Sequence, residues 1–438
     1  MSELSDFGKW ISNSVTVKLV LIGFLFLVLL IPSAMIQELI REREGLSNEV
    51  ATEIGAKWGK SQVITGPVLS MPALLPAKKT ATGEIPRITA HFLPDQLKIT
   101  NKVLPEIRYR GMYKVVVYRS KITLEGVFKK PDASQIDLLP ENLVPAEAFL
   151  SLGIPDMRGI QEAVEIRFGD QVYQANPGLK NTDVIKTGVT TPIDLAELLT
   201  KGEVPFSISL SLNGSDMAGF VPVGRITEVQ VNSSWNNPSF EGAFLPDERN
   251  VSDSGFSAKW KVLHLNRNYP QQWTGDAFDL DGSSFGVRFL IPVDHYQKAM
   301  RAVKYSAMFT SLTFLVLFFI EILYKRKMHP VQYLLVGVAL LIFYTLLLSF
   351  SEQIKFNYAY GISTIAVVGL IGLYAGSIFK NVRMGIVTTG FLGMLYAFLF
   401  ILLQLQDYAL LLGSVGLFVI IAAVMYFSRK VSWYNEGA

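Results

Sequence analysis

Four histidines, no cysteine and a scatter of serines and carboxylates are what this 438-residue chain offers to chemistry. Without cysteine there is no thiolate nucleophile, no zinc–cysteine site, no iron–sulfur cluster and no disulfide. Gly282-Ser283-Ser284-Phe285-Gly286 spells G-x-S-x-G, the strained strand-to-helix turn that presents a serine to a histidine base. The context argues otherwise. Phe285, Val287, Phe289 and Ile291 alternate as a strand does, and Pro292 follows where the elbow needs a helix. The nearby Asp294 and His295 are adjacent, an awkward geometry for a carboxylate that must orient an imidazole, so a Gly/Ser turn after Asp281 is the plainer reading. Gly55, Gly59, Lys60 and Ser61 approach a phosphate-binding loop, but G-x-x-x-x-G-K-S needs its first glycine where Ile54 stands. His91, His264 and His295 show no HExxH and no close pairing for zinc, and read as ordinary core or surface histidines unless folding assembles a site. The sequence names no catalytic, cofactor-binding or metal-ligating residue, and no cofactor is expected.

The elements that would position such groups are not all in water. Charged residues make up 18% of the chain and the mean hydropathy is +0.33, against roughly 25% charged in a soluble globular chain. A hydrocarbon core of about 30 Å takes about 20 apolar residues to cross. Six runs qualify: Leu19 to Ile36, then, after a long polar stretch, Ala302 to Tyr324, Val331 to Phe350, Phe356 to Phe379, Met384 to Leu403 and Tyr408 to Phe427. The first run has a rival reading as a cleaved signal peptide, but Pro32 fills the small-residue place before Ser33 and Ala34. The spacing Leu46, Val50, Ile54, Trp58 suggests that a helix resumes beyond this span as an amphipathic stalk.

Orientation follows from the basic residues of short loops, which accumulate on the cytoplasmic side. An inside N-terminus places Lys9, Lys18, Lys325, Arg326, Lys327, Lys380, Arg383, Arg429 and Lys430 inside, with Glu352, Lys355 and Asp407 in the short outer loops. The expected fold class is therefore an integral membrane protein of six transmembrane α-helices, one N-terminal and five C-terminal. A large, mainly β (α+β) periplasmic domain is inserted between the first and second spans. The expected divisions are a cytoplasmic segment 1–18, a span 19–36, an outer domain 37–301, a five-helix bundle 302–427 and a cytoplasmic tail 428–438.

Residues 37–301 hold 29 of the 40 Lys and Arg and 31 of the 37 Asp and Glu, a net −2 that gives no reason to bind nucleic acid. A cysteine-free outer domain of this size fits a bacterial periplasm better than a eukaryotic exterior, so Asn213, Asn232 and Asn250 in Asn-x-Ser read as chance matches to a glycosylation signal. Alternation marks strands at Phe206 to Leu212, Val164 to Phe168, Ile122 to Leu124 and Phe285 to Ile291, with Asn213-Gly214 as a hairpin turn after the first. Two short helices are expected, from Thr191-Pro192 to Gly202 and from Pro145 to about Leu152. Phe-Leu-Pro-Asp occurs at Phe92 to Asp95 and again at Phe244 to Asp247, which raises two β modules with a boundary near 130–160 against coincidence.

Inside the bundle, Glu321 is the one acidic residue within an expected span; an i,i+4 pair with Lys325 at the interface accounts for it, a proton relay being the alternative. Gly372 and Gly376 form G-x-x-x-G with Gly369 one turn earlier, the pattern of close helix packing within the bundle or across a homodimer.

Several stretches resemble the CreD family of bacterial inner-membrane proteins, also described as cell envelope integrity proteins. They are WNNPSFEGAFLPDERNVSDSGFSAKW from Trp235 to Trp260, PVDHYQKAMRAVKY from Pro292 to Tyr305 and HPVQYLLVGVALLIFYTLLLSFSE from His329 to Glu352. Shorter pieces are GPVLSMP from Gly66, RYRGMYKVVVY from Arg108, DMRGI from Asp156 and Val431-Ser432-Trp433-Tyr434. The resemblance runs along nearly the whole chain. It implies an inner-membrane protein with a large periplasmic insert, linked to a two-component regulon, envelope integrity, colicin tolerance and responses to cell-wall antibiotics. It brings no reaction, ligand or catalytic residue.

Two functions compete. One is a non-enzymatic envelope factor whose β domain binds a periplasmic or membrane protein partner while the bundle anchors it in the lipid bilayer. The other is a transporter or lipid-handling channel, which would need polar residues such as Thr310, Ser311, Tyr344, Ser363, Thr364, Thr388 and Thr389 to converge on one interior face. An enzyme would need a pocket with titratable groups at catalytic separation.

Overall fold

The computed structural model describes residues 15–75, 85–291, 294–323, 328–405 and 409–428. The chain divides into two compact units, one of residues 1–46 with 293–438 and one of residues 47–292. The first helix, α1, spans Val15–Trp58 without a break. The stalk is thus a continuation rather than a second helix, because Gln37 to Glu44 are mostly good helix formers with no glycine or proline among them.

Residues 47–292 carry two sheets. Eight strands run in the order Glu248–Ser252, Gly255–Leu263, Ile226–Ser233, Gln96–Arg110, Tyr113–Lys129, Glu203–Ser215, Glu165–Phe168 and Gln171–Gln174. Only Ile226–Ser233 and Gln96–Arg110 are parallel neighbours in it. The second sheet is ordered Pro238–Gly242, Phe285–Phe289, Met217–Phe220, Gln62–Leu74, Phe149–Gly153, Gly188–Pro192 and Asn176–Pro177, with Arg87–Phe92 also on Gln62–Leu74 and Gln272–Thr274 beyond it. Alternation does what period two requires: Val204, Phe206, Ile208, Leu210 and Leu212 are buried while Glu203, Pro205 and Ser209 face outward.

Four expectations for this unit change. Asn213-Gly214 is not a turn; the strand runs on to Ser215, pairing these residues with Arg119 and Tyr118, and the chain passes from this sheet into the other at Asp216, whose φ is 63°. Gly214 is there for close approach, since a Cβ would overlap the Tyr118 ring. Pro145–Glu147 is a single 3-10 turn, and Phe149–Gly153 after it is a strand buried at every position; an apolar run covered on both faces has no alternation to distinguish it from a helix. Thr191 and Pro192 end a strand, and the short helix α2, Ala196–Lys201, starts later with Asp194 Oδ1 accepting from the Ala196 N–H at 2.9 Å. It stops at Gly202, φ 82°, as expected. No boundary falls near 130–160: strands from before and after it alternate in both sheets around one hydrophobic core. The two Phe-Leu-Pro-Asp strings also sit differently, Leu93 buried and Leu245 70% exposed.

The other unit is helical. The expected span from Ala302 is two helices, α3 (Asp294–Lys304) and α4 (Ser306–Leu323), bent by 45° at Tyr305. The first of the two is amphipathic: α3 buries Tyr296, Ala299, Ala302 and Val303 and turns Gln297 outward. Its Arg301 Nη2 donates to Leu402 O and Leu405 O, each at 2.9 Å, at the C-terminal end of the helix that carries them, where a cation is favoured. There follow α5 (Pro330–Ser351), α6 (Phe356–Phe379), α7 (Val382–Gln404) and α8 (Ala409–Ser428). Leu29, Ile36 and Ile40 of α1 share a core with Phe314 and Leu317 of α4, Tyr333 and Phe343 of α5, Ile371 of α6 and Tyr396 and Leu399 of α7. Among the described residues four helices are long and apolar enough to cross a membrane, and the bent pair α3 and α4 makes a fifth. The sixth expected run, Tyr408 to Phe427, is occupied from Ala409 by α8. This is a membrane protein with a large β-rich domain after its N-terminal helix.

Candidate functional site

Strand 248–252 ends the eight-stranded sheet. It bonds to strand 255–263 on one side, pairs with no other strand among the described residues, and all its residues are exposed. Beside it the outer face of the sheet holds a groove of about 590 Å³, lined by Lys98, Glu228, Asp247, Glu248, Lys259 and Lys261. Period two puts these long side chains on one face. Opposite signs meet across strands: Lys259 Nζ lies 2.8 Å from Glu248 and Lys261 Nζ 3.6 Å from Glu228, so the groove is self-neutralised. Asp247 Oδ2 accepts from the Lys261 N–H at 2.7 Å and holds the turn into strand 248–252. Two leucines project from neighbouring turns, Leu245 at 70% and Leu265 at 79% exposure. An open row of backbone donors and acceptors with apolar side chains next to it is the chemistry that receives an extended peptide.

The titratable groups inside the β unit are used in packing. His91 Nδ1 lies 2.9 Å from Ser70 Oγ and its Nε2 3.4 Å from Asp183 Oδ2, with the Trp273 ring centroid 5.5 Å away. Burial holds the imidazole below the usual histidine range, against the opposing pull of Asp183. Serine, histidine and aspartate are thus in line, but Ser70 and His91 are each only 2% exposed, so no substrate reaches the hydroxyl. His264 lies in a 3-10 turn, and His295 is on α3 with its ring 4.2 Å from that of Tyr296. Gly282 to Gly286 is a 3-10 turn running into strand 285–289, with no helix after Ser284. Among the described residues no group of three or more His, Asp and Glu is placed to hold a metal ion.

A different polar node lies in the helical unit. Glu321 of α4 is 6% exposed, yet three donors meet it: Lys18 Nζ, Tyr333 OH at 2.9 Å and the Met328 N–H at 2.9 Å. Lys325, the expected partner, lies outside the described residues; the bonds found among the described residues run to Lys18 of α1, to Tyr333 of α5 and to Met328 just before it. Tyr333 and Lys18 were not singled out by sequence. A lone carboxylate in an apolar run demands partners, but nothing in the local spacing says that one stands at the far end of the chain.

Gly372 and Gly376 lie on the face of α6 that meets α7. A Cβ at Gly372 would overlap Thr389 Oγ1, one at Gly376 would sit 3.6 Å from Gly385 Cα, and at Gly369 nothing stands within 4 Å. The polar residues of the bundle do not share one face: Thr310, Tyr344, Ser363 and Thr388 are buried, Thr364 is half-buried, and Ser311 and Thr389 are exposed.

Comparison with known proteins agrees with this architecture. A family model described as inner membrane protein CreD matches residues 14–434. The inner membrane protein CreD of Escherichia coli (strain K12) is 32% identical over 417 residues, which cover 93% of this chain and 91% of that protein.

Proposed function

The chain belongs to the CreD family of inner membrane proteins, and from that premise we propose that it is a six-span envelope-integrity factor that works by binding rather than by catalysis. Its two termini are cytoplasmic, residues 37–301 are periplasmic, and the β domain docks an envelope protein while the helices anchor it. The excess of basic residues in the short inner loops, against Lys355 alone in the outer ones, supports this orientation. So does the bond from Lys18 to Glu321, which puts the start of α1 and the end of α4 on the same side of the helical unit.

The docking reading is carried by one observation, the exposed edge strand Glu248–Ser252 with Leu245 and Leu265 nearby. Natural sheets usually shorten, cover or charge such an edge. This one carries Glu248 and Arg249 at its start and leaves Asn250, Val251 and Ser252 to face outward. Photo-crosslinking from Asn250 in the full chain, in native membranes, tests it. One protein adduct that disappears when Val251 becomes proline is expected; adducts unchanged by that substitution, or none, would overturn it.

A further inference from the structure

The helical unit has a groove of about 610 Å³ between α1 and α5. Its origin is local. At Gly337 the two helices touch, since a Cβ there would overlap Leu29 Cδ1. Beyond that contact they run in the same direction, and the space between residues 32–42 and 338–345 stays open. Met35, Ile36 and Leu39 make one wall and Val338, Leu341 and Ile342 the other. Thr345, also in the lining, donates its hydroxyl back to Ile342 O at 2.8 Å, so its proton is already used within α5. Met35 is 67% exposed and Ile342 46%, so the groove opens sideways, away from the core.

The charge is placed asymmetrically. Glu38 and Glu42 are the charged residues that line the groove, on the same helix face as Met35 and Leu39 by the 3–4–7 spacing. Arg41 lies outside the lining, but its Nη1 donates to Glu38 Oε2 at 2.9 Å, so Glu38 is already paired and Glu42 is the carboxylate left to the groove. From Pro32 to Glu42 the helix rises about 15 Å, roughly the depth of one hydrocarbon leaflet. An apolar channel of that length that ends at the Glu42 carboxylate, on helices that cross a membrane, matches an amphiphile with a long acyl chain and a cationic end.

We propose that this groove holds one phospholipid whose headgroup carries a primary ammonium, phosphatidylethanolamine by chemical class. An acyl chain lies between Ile36 and Ile342, and the ammonium donates to Glu42. The Glu42 carboxylate, unpaired among the described residues, gives no partner to a headgroup that brings only anionic or hydroxyl groups, such as phosphatidylglycerol. The lipid is a resident component that fills the gap between α1 and α5, not a transported cargo.

The test uses the full chain in nanodiscs containing equal amounts of phosphatidylethanolamine and phosphatidylglycerol, with a photoreactive acyl chain on one or the other. The ethanolamine lipid is expected to label peptides containing Met35 or Ile342 at least five-fold more than the glycerol lipid. Ile342→Trp, at an exposed position, fills the groove and should cut that labelling five-fold or more with thermal unfolding unchanged. Glu42→Gln should bring the two lipids to equal labelling. Equal labelling in the unaltered chain, labelling indifferent to Ile342→Trp, or crosslinks from these positions to a second copy would each overturn the proposal.

Discussion

Lys18, in the first turn of α1, donates to the Glu321 carboxylate near the end of α4, across 303 residues of sequence. Between them in the chain lies the whole β-rich unit, so the bond ties the helix that precedes that unit to the helices that follow it. A carboxylate this buried is tolerable because it is paired and hydrogen-bonded, and Tyr333 and the Met328 N–H complete its shell.

Removing one partner leaves the other charge uncompensated, which costs about 3–5 kcal/mol in buried pairs. Glu321→Ala strands three donors at once, Lys18, the Tyr333 hydroxyl and the Met328 N–H, whereas Lys18→Ala leaves the carboxylate two of them, so the loss of Glu321 should cost more. Glu321→Ala is expected to lower the unfolding temperature more than Lys18→Ala in the purified full chain. Lys18→Met combined with Glu321→Gln should recover part of the loss, because no unpaired charge remains. Equal, small effects from both single changes would show that the pair carries no stability.

The α6–α7 contact ranks four glycines. A Cβ at Gly385 would meet Gly372 O at 2.9 Å and Gly376 Cα at 3.1 Å, backbone atoms that cannot turn aside. Gly385→Ala should therefore destabilise by about 1–3 kcal/mol, the range of overpacking. Gly372→Ala meets a hydroxyl that can rotate and should cost less; Gly376→Ala makes an ordinary contact; Gly369→Ala is expected to be silent. Thermal unfolding of the four variants checks the order. A loss of dimer on Gly369→Leu, with the fold intact, would assign that glycine to a homodimer contact instead.

His91 makes the β unit sensitive to acid. Its folded-state pKa lies below the ordinary 6.5, chiefly because burial penalises the imidazolium. The unfolded chain therefore takes up a proton first, and stability falls as pH drops below 6.5 until the folded-state value is passed. Unfolding midpoints measured from pH 8 to pH 5 should decline, and His91→Gln should flatten that part of the profile. A wild-type profile that rises toward pH 5 would reverse the sign argued here.

Gly214 tests the corrected strand end. Gly214→Ala drives a methyl into the Tyr118 ring, which is fully buried and donates to Met217 O at 2.7 Å, so a clear loss of stability is expected. Asp216→Gly relieves a left-handed φ of 63° and should be tolerated, offset by the loss of its ion pair with Arg288 at 3.2 Å. If Gly214 instead served a hairpin turn, Gly214→Asn would be harmless, as that residue also accepts positive φ.

Much of this architecture was legible in residue order. The apolar runs, the position of the β-rich insert and the strand at Phe206 to Leu212 follow from periodicity, which burial enforces directly. What escaped was set by neighbours distant in sequence. Phe149–Gly153 is a strand because Gln62–Leu74 and Gly188–Pro192 flank it. Asn213-Gly214, locally a turn signal, is held straight by its pairing with Arg119 and Tyr118. The partners of Glu321 could not be found by spacing, because Lys18 is near in space only once the helices have packed. The edge strand carries only the Asn-x-Ser match at Asn250, which says nothing of pairing; its openness is a property of the finished sheet.

The orientation of the chain carries most weight, and the absence of native cysteine makes it directly measurable. Single cysteines at Asn250, Ser5 and Ser432 would be labelled in spheroplasts with a membrane-impermeant maleimide, before and after lysis. Asn250→Cys is expected to react at once, and Ser5→Cys and Ser432→Cys only after lysis. Immediate labelling at either terminus, or protection of position 250, would contradict it.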